Sequence, residues 1–130
     1  MCTLRNSKNV KMPKTKTFTA YKVFNREYRS IPHCFMGTTS FKIGTNIWNV
    51  KEGRGERGDQ DGFQVFVNKK DAKRYAFQGD FLCPVKIETK NVVKAGLAEN
   101  GDQAYEVKKF VLSKKTWENK KQSKKDNYDY

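Results

Sequence analysis

At 130 residues the chain is sized for one domain, and it holds no apolar run near the roughly 18 residues of a membrane helix. Cys2, Cys34 and Cys83 are odd in number and form no C-x-x-C pair, which argues against a disulfide framework and for a reducing, cytoplasmic setting. The net charge is +13, yet residues 1–26 hold seven Lys or Arg and no acid, residues 108–130 hold eight Lys against three acids, and the stretch between is almost neutral. Charge needed only for solubility would be spread evenly; two basic ends on a neutral body favour a polyanionic partner.

In chain order, residues 1–17 show no period and read as a basic arm. Residues 18–24 alternate, with Tyr21 and Val23 on one face and Phe18 and Phe24 on the other, and predict a strand. A polar loop runs to Pro32. Residues 38–43 and 46–50 are two short strand candidates around Gly44, with Phe41, Ile43, Ile47 and Trp48 expected inward. A glycine-containing loop, 51–61, leads to a strand over 62–67 with Phe63, Val65 and Val67 on one face. The period then changes. Asn68 is placed as a helix N-cap with Asp71 in the capping-box position, and Ala72, Tyr75 and Ala76 form an apolar stripe that stops before Gly79.

Residues 81–89 predict another strand, in which Pro84 calls for an edge or a bulge. Residues 91–95 continue it after a kink. The sequence Glu99-Asn100-Gly101-Asp102 is a hairpin turn. In the returning strand, 105–112, Tyr105, Val107, Lys109 and Val111 are expected on one face and Glu106, Lys108, Phe110 and Leu112 on the other. The remainder is Lys-rich, with Trp117 its only large apolar residue before Tyr128 and room for a short helix. The fold class expected is α+β. A single small domain over 18–113 would have a mostly antiparallel twisted sheet of about five to seven short strands and one short helix. It would carry a basic arm, 1–17, and a Lys-rich tail, 114–130.

The order of segments resembles a family of small proteins associated with bacteriophages and prophages. The residues that carry the resemblance are Met1, Cys2, Leu4, Pro13, Lys14, Tyr21, Lys22, Val23, Gly62, Phe63, Val65, Phe66, Asp71, Ala72, Lys73, Tyr75, Val85, Lys86 and Ile87. It implies a phage-linked accessory protein and brings no activity with it.

Catalytic signals are sparse. Gly53-Arg-Gly-Glu-Arg-Gly58 matches G-x-G-x-x-G, but Asp59 and Asp61 follow it and a strand comes next, where a phosphate site needs a helix N-terminus. His33 and Cys34 are adjacent in an extended segment and point apart, so they make no base–nucleophile pair. No metal-ligand spacing is present, and no cofactor is expected. One enzymatic alternative is an ADP-ribosyltransferase-like NAD-binding site using Tyr21, Thr39 and Glu88. Another is a protein-only inhibitor of an acidic host target. The leading expectation is a non-catalytic protein that binds an RNA or DNA backbone, or a host ribonucleoprotein such as a defence nuclease. Its binding residues would be Lys8, Lys11, Lys14 and Lys16 in the arm, and Lys69, Lys70, Lys73 and Arg74 on the helix. Lys108, Lys109, Lys114, Lys115, Lys120, Lys121, Lys124 and Lys125 would complete them. Lys outnumbers Arg in this set, which suits phosphate attraction better than bidentate base reading. Tyr21, Phe24, Trp48, Phe63 and Phe66 are candidates for base stacking if they lie exposed on a sheet.

Overall fold

The computed structural model describes residues 5–6, 12–25, 32, 40–48, 62–76, 81–98 and 101–119. The strands are β1 (Arg5–Asn6), β2 (Thr17–Phe24), β3 (Gly44–Ile47), β4 (Phe63–Phe66), β5 (Phe81–Glu88), β6 (Val92–Leu97), β7 (Gln103–Val107) and β8 (Lys109–Leu112). Helix α1 (Lys69–Ala76) lies between β4 and β5, and a second helix, α2, covers 114–119. The described pairings are antiparallel, in the order β1-β6-β7-β4-β2-β5-β8-β3. This is the expected α+β architecture. Seven strands have four residues or more, and two-residue β1 adds Arg5 and Asn6 from the arm to the β6 edge.

One long hairpin organises the sheet. β5 and β6 are separated only by a single 3-10 turn, Thr89–Asn91, and β7 and β8 only by Lys108. β6 pairs with β7 and β5 with β8, so 81–97 and 103–112 form one hairpin bent in its middle. Its closing turn has Gly101 at φ +90°, a conformation that suits glycine, and an Ala98 N–H to Asp102 carbonyl bond of 2.8 Å. At the bend, the Lys108 N–H donates to the Asn91 carbonyl at 2.8 Å, and the Lys108 carbonyl accepts from the Trp48 N–H at 2.9 Å. The two halves reach different parts of the sheet, with β4 and β2 between them. The sheet therefore coils until Phe63 of β4 and Phe110 of β8, three places apart in the order, bring their rings to 4.9 Å.

That bend corrects the expected faces of 105–112. Tyr105 and Val107 share the core with Phe110 and Leu112, while Lys109 and Val111 look outward. Lys108 is an extra residue between two ladders, and it shifts the alternation by one. A second correction concerns 38–50. Gly44 begins β3 rather than separating two strands. Phe41 and Trp48 are buried as expected, but Ile43 and Ile47 are exposed, Ile47 by 64%. Asn46 turns inward instead, accepting from the Lys42 N–H at 3.0 Å and donating to the Lys42 carbonyl at 2.9 Å. Pro84 needs no bulge, because β8 ends opposite Val85 and leaves that part of β5 with β2 as its one described strand neighbour.

The larger core lies inside the coil, where aromatic rings meet edge to face: Trp48–Phe63 at 5.1 Å, Phe41–Phe63 at 5.6 Å and Phe81–Trp117 at 5.1 Å. Trp117 belongs to α2 and is 1% exposed. The folded part therefore extends past the boundary expected at residue 113. On the opposite face, Ala72 and Ala76 of α1 pack on Val23, Phe66, Leu82, Ala98 and Ala104. Small alanines let the helix sit close to the sheet.

Candidate nucleic-acid interface

Helix α1 covers only one end of its face of the sheet. The other end, around the 89–91 turn, is covered by no helix among the described residues, and its side chains follow from the register. Thr17 pairs with Glu88 and Thr19 with Lys86; Lys86 pairs in turn with Val111, which pairs with Thr45. Continuing the β5–β8 ladder sets Glu88 beside Lys109, and Lys109 pairs with Ile47. A shallow depression of about 280 Å³ lies here, lined by Thr17, Lys86, Glu88, Asn91, Lys109 and Val111. The arm closes one side of the turn: Thr89 donates its N–H to the Lys16 carbonyl at 2.9 Å and its hydroxyl to the Thr15 carbonyl at 2.6 Å.

Lysines crowd this end. Lys14, Lys16, Lys86, Lys90 and Lys108 are exposed, and Lys109 is half-exposed. Glu88 is the acid that lies among them. Its two carboxylate oxygens are each 3.5 Å from an ammonium, Lys109 at one and Lys90 at the other. Lys90 acts most strongly on it; with help from Lys109, and against some desolvation, it holds the Glu88 carboxyl below the usual carboxylate range. The site is therefore a basic depression with an ionised carboxylate at its centre.

No family model, curated protein or solved structure matches the chain. The chemistry of the site thus rests on its own residues. Among the described residues, no three His, Cys, Asp or Glu side chains gather as metal ligands, and no helix is long and apolar enough to cross a membrane.

The expected binding residues fall into separate groups. Lys69, Lys70 and Lys73 are exposed on α1. Arg74 is exposed too, but its guanidinium is tied to Asp71 at 2.6 Å and to Asp102 at 2.7 Å, so its charge is already met. Lys114 and Lys115 are exposed on α2, and Lys14, Lys16, Lys108 and Lys109 belong to the turn cluster. Lys8, Lys11, Lys120, Lys121, Lys124 and Lys125 lie outside the described residues, as do His33, Cys34, Thr39 and the 53–58 glycine loop. The α1 and turn groups share one face of the sheet, about 20 Å apart along β2 from Thr17 to Val23.

The stacking candidates do not serve. Phe24, Phe63, Phe66 and Trp48 are buried, and Tyr21 packs against the α1 cluster. Tyr21 and Glu88 point to the same side and stand four positions apart on the ladder, about 13 Å. Lys86, Lys90, Asn91 and Thr17 were not among the binding residues expected from the sequence. Their signal was there in part: Lys86 and Glu88 alternate with buried Val85 and Ile87, which marks them as outward-facing but not as neighbours of Lys109.

Proposed function

We propose that this protein is a non-enzymatic binder of nucleic acid that grips the sugar–phosphate backbone, acting as a phage-linked accessory protein. The observation that carries the proposal is the imbalance of charge that remains once local partners are assigned. Of the five described acids, Glu106 is fully buried, Asp71 and Asp102 are engaged by Arg74, Glu88 is engaged by Lys90 and Lys109, and Glu118 lies exposed on α2. Among the described residues, the exposed lysines of α1, α2 and the turn outnumber the acids that remain exposed beside them. A field of one sign over a sheet face attracts phosphates regardless of base sequence. The depression is shallow and open on one side, which suits a chain passing across it better than an enclosed metabolite.

The test is fluorescence anisotropy with labelled single-stranded and duplex oligonucleotides over a salt series. Binding should weaken linearly in log salt, with a slope of about 0.7 per neutralised phosphate on single strands and about 0.9 on duplex. Base composition should change affinity little. Absence of salt-dependent binding to any of these probes would overturn the proposal.

A further inference from the structure

A site built only to hold phosphate gains nothing from a carboxylate. Two like charges about 4 Å apart repel by about 1 kcal/mol even in water. Yet Glu88 stands in the floor of the basic depression, one-third exposed, between Lys86, Lys90 and Lys109. Its contacts with Lys90 and Lys109 are 3.5 Å long, well beyond the 2.7–2.9 Å of a tight charge-assisted bond. A carboxylate offers about four acceptor positions, so Glu88 keeps the capacity to accept a shorter bond from a ligand donor. The ligand must then present an anion to the lysines and a hydroxyl donor next to it. Asn91 and Thr17, at the rim, add neutral polar groups. The described residues of this patch include no aromatic ring on which a base could stack, and its lysines, Glu88, Asn91 and Thr17 suit the groups of a backbone.

A ribose phosphate has this pattern of groups. We infer that the depression around Glu88 is a ribose–phosphate subsite: Lys86 and Lys109 hold a backbone phosphate while the Glu88 carboxylate accepts a hydrogen bond from the adjacent 2′-hydroxyl. The protein consequently prefers RNA to DNA. Deoxyribose lacks that donor, and a DNA strand in the same place meets the carboxylate as repulsion alone. This inference rests on the nucleic-acid reading above and adds the sugar to it.

The experiment compares oligouridylate with oligodeoxyuridylate of equal length, which differ only at the 2′ position, together with the 2′-O-methyl oligomer. Affinities are measured by anisotropy for the full chain and for Glu88→Gln and Glu88→Ala, with thermal melts to confirm that both variants fold. The parent should bind the ribo-oligomer roughly fivefold to tenfold more tightly than the other two, the worth of about one net hydrogen bond. In Glu88→Ala the preference should vanish, chiefly because the deoxy-oligomer binds better. Glu88→Gln should fall between. Equal affinity of the parent for ribo- and deoxy-oligomers, with a normal salt slope, overturns the sugar subsite and leaves backbone binding standing. A preference that survives in Glu88→Ala also overturns it. Loss of salt-dependent binding to all three oligomers would sink the broader reading instead.

Discussion

Gly62 precedes β4, and a Cβ placed on it would lie 2.5 Å from the Val107 carbonyl oxygen and 2.9 Å from the Val107 nitrogen. Here β7 backbone, not a flexible side chain, fills the space a methyl would need. Gly62→Ala should therefore force the β4–β7 ladder apart and cost about 1–3 kcal/mol, as overpacking does. Urea unfolding should show an earlier midpoint with an unchanged slope; an unmoved midpoint would mean that the strands part at no cost. The glycine was visible in the sequence as a strand opener, but not the reason for it, since the reason lies 45 positions away on β7. Lys22 teaches the same lesson. Alternation places it on the Phe18–Phe24 face, and it is 2% exposed there. Its ammonium donates to the Gln64 carbonyl at 2.9 Å and lies 5.3–6.0 Å from the ring centres of Phe41, Phe63 and Phe110. A carbonyl and three aromatic faces meet a buried cation well. Hydrophobic periodicity sorts residues by type and cannot announce such partners, because they come from three other segments.

Among the elements, α1 was legible and α2 was not fully so. An alanine stripe at helical spacing fixes α1, and Asn68 precedes it at the expected position, with the first helical bond from the Ala72 N–H to the Asn68 carbonyl at 3.1 Å. The Asn68 amide donates to the Asp71 carboxylate at 3.3 Å, a side-chain contact in place of the expected capping box. α2 is short and mostly charged, so its apolar signal is the single Trp117. It does carry a start signal: the Ser113 hydroxyl accepts from the Thr116 N–H at 3.1 Å, an N-cap contact. Trp117 then reaches the core, with its ring 5.8 Å from Phe24 and 5.1 Å from Phe81. Removing such a tryptophan costs about 3–5 kcal/mol, a large part of the 5–15 kcal/mol that holds a typical domain together. A chain ending at Leu112 should therefore lose its cooperative thermal transition or melt far lower. A chain ending at Asn119, which keeps α2, should melt like the parent. If the shorter chain melts normally, α2 is an ornament on the core rather than its lid.

For the whole molecule, the uneven charge visible in the sequence becomes a spatial arrangement that the sequence did not show. The arm's Lys14 and Lys16 come to lie beside Lys90 because Thr89 binds the backbone of 15–16. That brings one basic end of the chain to a turn near its middle. The α1 lysines stand on the same face, about 20 Å away along β2, and four more lysines follow α2 at 120, 121, 124 and 125. If one strand of nucleic acid is held by all three groups, each group should contribute independently, since sites more than about 7–10 Å apart act additively. Replacing Lys69, Lys70 and Lys73 with alanine should lower the salt slope on a single strand by up to about two units. Ending the chain at Asn119 should lower it by about two to three, with no change in melting. The combined variant should lose the sum of the two and bind weakly through the turn cluster alone. Should the α1 replacements leave slope and affinity as they were, the helix face is a solvated surface, and the strand runs from the turn toward the tail without crossing it.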